Sequence, residues 1–168
     1  MTRVLRGWRR PARPAPGPAL RVERRVRAGW QPTRADFRGW AGAALGRAAA
    51  RSELGLRLVG PAESRSLNAC YRGHDHATNV LSFPALPSAT SVAGWLGDLV
   101  LCPAVVRAEA RAQGKSARAH WAHLVVHGVL HLLGFDHEHP QQARRMERRE
   151  IACLRRIGIA NPYRATER

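Results

Sequence analysis

Lysine is almost missing from this chain: Lys115 stands alone, so 27 of the 28 basic residues are arginines. Cysteine is scarce as well. Cys70, Cys102 and Cys153 are odd in number, far apart and never in a C-x-x-C pair. That argues against a disulfide framework and for a reducing compartment, with each thiol expected as a small buried hydrophobe. No apolar run approaches the roughly 18 residues that would suggest a membrane span, and no apolar stretch follows the N-terminal arginines, so neither a membrane helix nor a secretory signal is expected. Acids are few, 12 in all with Glu23 the first, and the net charge is +16. Such an excess is either a preference for arginine on a solvated surface or the footprint of a polyanionic partner, because cationic surfaces attract phosphates and release counterions. Charge of this kind speaks to association rather than to chemistry.

What is present fits one domain. The chain has 168 residues, 45% of them hydrophobic, enough for a sizeable core, and it contains no internal repeat. Residues 1–18, MTRVLRGWRRPARPAPGP, are rich in proline and arginine without hydrophobic periodicity. They are expected as a disordered basic arm or a start-site extension, ahead of a domain over 19–157 and a polar tail over 158–168. Alternating or β-rich runs predict strands at 19–23, 54–60, 78–84 and 97–103. Helical spacing of Phe37, Trp40, Ala41, Ala44 and Leu45 follows Thr33 as N-cap. Further helices are expected at 61–71, at 104–113, from Ser116 to about Leu133 with Gly134 as a left-handed stop, and at 140–157. The reading is α+β: one small mixed sheet of three or four strands against about five helices, with a metal site at the end of the long central helix.

The site is read from HLVVHGVLHLLGFDHEHP, which starts at His123 and carries five of the eight histidines. His127 and His131 are four residues apart on a helix, about 6 Å of rise and about 40° past a full turn, so both imidazoles leave one face. Gly134 lets the chain reverse and bring His137 back toward the same point. Three neutral nitrogens leave a fourth position open, the pattern of a catalytic zinc site; nickel, copper or cobalt suit the same donors. His123 lies about 12 Å along the helix from His131 and is expected as a hydrogen-bonding or surface residue. A motif of this composition arises by chance roughly once in several hundred such chains, the risk any short pattern carries. In H-E-x-x-H proteases the carboxylate after the first histidine is the general base. Here that position is Gly128, so peptide hydrolysis by that route lacks its base.

These residues resemble the YbeY family, bacterial rRNA maturation factors regarded as metal-dependent endoribonucleases. His127-Gly128, Leu130-His131-Leu132, Gly134-Phe135-Asp136-His137 match the family pattern at every fixed position. Further blocks are Asn68, Tyr71-Arg72-Gly73, Asp75, Thr78 to Pro84, Gly97 to Leu101, and Met146-Glu147 with Glu150. The resemblance implies one zinc held by His127, His131 and His137, action on single-stranded RNA near the 3′ end of 16S rRNA, the small ribosomal subunit as partner, no membrane association and a cytoplasmic location. Arg72 corresponds to the family's functional arginine. His74 and His76 stand where the family often has lysine, which alters the charge beside Arg72.

The residues read by themselves agree on the chemistry. Arg72 could fork two hydrogen bonds onto a phosphate and neutralise charge that develops during cleavage. Asp98 is either a carboxylate that orients a ligand histidine or a turn residue. Asp136 carries the same two readings, with proton acceptor as a third. Asn79 and Ser82 either pin their strand or touch RNA, and Glu147 and Glu150 are expected as solvated or ion-paired helix residues. A non-catalytic assembly factor with a structural metal and a small-molecule metallohydrolase are the rival readings.

Overall fold

The protein is described by a computed structural model that covers residues 17–27, 29–85 and 94–164. The expected arm therefore lies outside the described residues, apart from Gly17 and Pro18. Strand β1 (Ala19–Arg24) leads to α1 (Arg34–Leu45), a 3-10 turn (Gly46–Arg51) and β2 (Glu53–Leu58). Then come α2 (Pro61–Arg72), β3 (Val80–Pro84), β4 (Trp95–Leu101), α3 (Pro103–Ala112), α4 (Ala117–Leu132) and α5 (Pro140–Arg156). The strands form one mixed sheet in the order β1-β2-β4-β3. β2 runs parallel to β1 and β4, and β3 is antiparallel to β4 at the edge. The α+β expectation holds, with four strands and five α-helices among the described residues.

Local chemistry starts the elements where the sequence places them. The Thr33 hydroxyl accepts from Asp36 N at 3.1 Å, while the Asp36 carboxylate accepts from Thr33 N at 2.9 Å, so both orphan donors at the start of α1 are satisfied. The same carboxylate pairs with Arg118 at 2.6 Å and so ties the start of α1 to α4. Ser116 caps α4 by accepting from Ala119 N. Gly134 ends that helical run at φ 83°, a conformation that costs a β-carbon about 1–2 kcal/mol.

The main core lies between the sheet and α1, α4 and α5. Leu54, Leu56, Leu58, Leu99 and Leu101 meet Phe37, Trp121, Val125, Val129, Met146 and Leu154 there. Each of these large side chains, fully removed from water, contributes about 1.5–3 kcal/mol. Phe37 sits edge-on to Trp121 at 5.9 Å. A smaller cluster, Val59, Leu81 and Val100 with Leu67 and Phe83, packs α2 on the opposite face of the sheet. Of the three thiols, Cys102 and Cys153 are buried as expected, but Cys70 is exposed. Ser64 and Asn68 mark the buried side of α2, and Cys70, two residues past Asn68, falls about 200° around the helix.

A three-histidine candidate metal centre

Helix α4 is enclosed on almost every side, and from His120 to Leu132 only His123, His127 and His131 escape full burial. They form one line at four-residue spacing along an otherwise buried stretch of helix. His127 and His131 have ring centroids 4.6 Å apart and Nε2 atoms 3.1 Å apart. Beyond Leu132 the chain closes with Gly134 N donating to His131 O and Phe135 N donating to Leu130 O. The Asp136 carboxylate then accepts from His137 N at 2.7 Å. This reversal stacks the His137 ring 5.5 Å from His127 and sets it 4.9 Å from His131.

One nitrogen of each of these three histidines lies within 4.8 Å of the other two. Nitrogens about 2.0–2.1 Å from a shared tetrahedral zinc stand roughly 3.4 Å apart, close to the His127–His131 spacing of 3.1 Å. Burial, followed by repulsion from His127 and His137, pushes the His131 imidazole down from 6.5 to about 4. Its ring is therefore neutral at pH 7, with a lone pair free to donate. The donor set and its geometry fit a divalent transition metal.

Sequence reasoning missed the residue that orients the cluster. Glu150, expected as a solvated or ion-paired helix residue, is completely buried, with its carboxylate paired to two histidines. It lies in helical register with Met146, Cys153 and Leu154 on the inner face of α5, and a carboxylate at such a position requires partners. That register was the available signal. Glu150 Oε1 lies 2.7 Å from His127 Nδ1, and Oε2 lies 3.2 Å from His123 Nε2. Burial raises the Glu150 carboxyl, but hydrogen bonds from His123, His127 and Tyr163 more than offset this and leave it at about 2. With Nδ1–H committed to a carboxylate, His127 presents Nε2 toward His131 and His137. His123 is thus the hydrogen-bonding residue that its distance from His131 implied.

Gly128, the position of the protease glutamate, faces the sheet. A β-carbon there would come within 2.8 Å of Leu99 Cδ2 and 3.3 Å of Ser82 Oγ. Close approach of α4 to β3 and β4 favours the glycine, because any larger residue there would have to displace the Leu99 side chain. Ser82 Oγ donates to Gly128 O at 3.3 Å, and Arg72, in the last turn of α2, donates to Ser82 O at 3.2 Å. Ser82 thus grips the turn between His127 and His131 and also holds the exposed Arg72. Asn79 is structural too: its amide donates to Glu109, which is 2.8 Å from His120 Nε2, joining β3 to α3 and α4. Glu147 is exposed.

The structure does not bring Asp98 to the histidines. Asp98 lies opposite Gly55, and a β-carbon on Gly55 would fall 2.0 Å from Asp98 Oδ1. Its neighbour Leu99 points to α4, so strand alternation turns Asp98 to the other face of the sheet, where it lines a groove with Arg57, Tyr71 and Phe83. Asp136 remains beside the cluster, its carboxyl held below the usual range first by the His137 backbone hydrogen bond.

These shifts give a pH dependence. Between pH 6.5 and 4 the unfolded chain protonates a histidine that the folded chain keeps neutral at His131, so acid favours unfolding in that window. Glu150, lowered from 4.5 to about 2, adds stability above pH 4.5 that is lost as pH falls toward 2. Tm of the metal-free protein, followed by circular dichroism, should fall steadily below pH 6.5, at about 2–4 °C per kcal/mol lost. A flat Tm between pH 6.5 and 4 would contradict this account of His131.

Comparison with known proteins matches the same segments. The family model described as Endoribonuclease YbeY matches residues 32–158. A protein named Endoribonuclease YbeY from Alkalilimnicola ehrlichii is 50% identical over 157 residues, covering 89% of this chain and 95% of its own. One of the same name from Pseudomonas putida is 52% identical over 133 residues, covering 79% of this chain and 85% of its own. The solution structure of a Thermotoga maritima protein superposes with a TM-score of 0.52 at 20% identity, over 86% of this chain and 99% of that one, and so shares the fold. By its sequence, the chain belongs to the Endoribonuclease YbeY family.

Proposed function

We propose that this protein is a zinc-dependent endoribonuclease that cuts single-stranded RNA and acts on the 3′ end of 16S rRNA, with the small ribosomal subunit as its partner in the cytoplasm. The observation that carries the metal chemistry is the trio His127, His131 and His137, which no fourth His, Cys, Asp or Glu joins among the described residues. A metal held by three imidazoles keeps a position open for exchange, as catalysis requires and a closed structural site does not. When bound, zinc supplies Lewis-acid polarisation of a phosphoryl oxygen and acidification of water.

The chain's own residues do the rest. Arg72 uses one of its N–H groups on Ser82 O, and the remaining donors of its planar fork are available to a scissile phosphate. Asp136, ionised and beside His137, is the proton-acceptor candidate. Substrate hold comes from charge. Arg21, Arg25, Arg57, Arg65 and Arg118 are paired with carboxylates. By contrast, exposed Arg144, Arg145 and Arg148 on α5 have no ion pair among the described residues. Arg145 lies 5.3 Å over the Phe135 ring, next to the loop that carries His137.

The test is cleavage of a 16S 3′-end fragment by zinc-loaded protein, with affinity measured across salt concentrations. Cutting should require metal, and log affinity should fall with log salt at about −0.7 per phosphate contacted. Replacing Arg144, Arg145 and Arg148 with glutamine should reduce that slope by up to about 2 and leave the cleavage position unchanged. Metal-loaded protein that binds the fragment but never cuts it would favour a non-catalytic assembly factor. Weak, salt-insensitive binding would favour a small-molecule hydrolase.

A further inference from the structure

Residues 159–164, just past the end of the family match, are held against the domain. Ile159 N donates to Leu154 O at 2.9 Å, and Lys115 Nζ donates to Pro162 O at 2.7 Å. Tyr163 N is held by Asn161 Oδ1 at 2.9 Å. These contacts place the Tyr163 ring edge-on against His123 at 5.5 Å, and its hydroxyl donates to Glu150 Oε2. The chain's one lysine thus anchors the segment that reaches the carboxylate behind His127.

We infer that Tyr163 is a positioning residue for the metal centre, acting through Glu150 to hold His127 in the tautomer that presents Nε2. This rests on the reading of His127, His131 and His137 as metal ligands. The hydrogen-bond count supports it. Glu150 is fully buried, so its oxygens need donors from the protein. Oε1 takes His127 Nδ1–H, while Oε2 takes the Tyr163 hydroxyl and His123 Nε2–H.

The same count explains a second group of potential donors, His123, His127 and Glu150, whose atoms also lie within 4.8 Å of one another. Each inward atom there already has a matched hydrogen-bond partner. An ion in that place would have to displace the His127 Nδ1–H that orients the outer trio. The group is a hub of hydrogen bonds, and Tyr163 closes it from the tail. Without the hydroxyl, Oε2 keeps one donor, at 3.2 Å. The carboxylate then gains freedom to turn away from His127, and the ring's other tautomer becomes accessible.

The experiment uses the full-length protein as wild type, Tyr163→Phe and Glu150→Gln. The phenylalanine keeps the ring against His123 and removes only the hydroxyl, and Tm of each metal-free variant controls for folding. Long-range 1H–15N correlation of metal-free protein reads the His127 tautomer directly. Zinc affinity is measured in competition with a chromophoric chelator. Wild type should show His127 protonated at Nδ1 and bind one zinc. Glu150→Gln should weaken zinc by about 10–100-fold, as loss of a ligand's orienting partner does. Tyr163→Phe should weaken it by about 3–10-fold and mix the His127 tautomers. Unchanged zinc affinity and an unchanged tautomer in Tyr163→Phe would overturn the inference while leaving the metal centre intact. A wild type with the Nδ1–H tautomer that binds no zinc would overturn the metal reading, and the inference with it.

Discussion

His131→Ala should leave the purified protein without tightly bound metal. Structural zinc sites gain about 10–16 kcal/mol from their ligands. Shared over four ligands, that is roughly 2.5–4 kcal/mol each, so removing one weakens binding by about 10²–10³. His127 and His137 remain in the variant, and two nitrogens rarely retain a catalytic ion. Folding should survive, because the alanine removes a half-buried imidazole whose protonation is already disfavoured. His123→Ala is the matching control. It removes a donor to Glu150 rather than a ligand, so metal content should stay near one equivalent. Elemental analysis of both variants decides the matter. Full occupancy in His131→Ala would mean that another donor, such as His123 or His139, completes the site.

Arg72→Ala should slow single-turnover cleavage by about 10²–10³ at saturating RNA, the loss typical for a donor aimed at charge that develops in the transition state. RNA affinity should change far less, because the group's ground-state contact is one among many along the backbone. Lysine at this position should restore part of the rate, since an ammonium keeps the charge but lacks the planar fork. Metal content should be unaffected: Arg72 contacts the carbonyl of Ser82 and belongs to no donor cluster. Equal rates for wild type and Arg72→Ala would make Arg72 a binding residue. A variant that loses metal would show that Ser82 needs Arg72 to hold the turn between His127 and His131.

What the sequence determined by itself was everything carried by short-range periodicity and turn chemistry. Thr33 and Ser116 cap their helices, and Gly134 takes the left-handed stop. His127 and His131 share a face because a helix of 3.6 residues per turn leaves no other arrangement. These features span about ten residues or fewer, so the chain's own stereochemistry settles them. Tertiary structure decided the rest. Glu150 reaches His127 across 23 residues, and Tyr163 reaches His123 across 40. No local pattern contains pairings of that range. Asp98, placed on a strand by its sequence, was sent to the far face of the sheet by one step of register beside Leu99. Gly128 reads in sequence as a missing base; only the packing of α4 shows that a side chain there would have to push Leu99 and Ser82 aside. The spacing of His127 and His131 is written along one helix, whereas the carboxylate and the hydroxyl behind them are supplied by segments that meet only when the core closes.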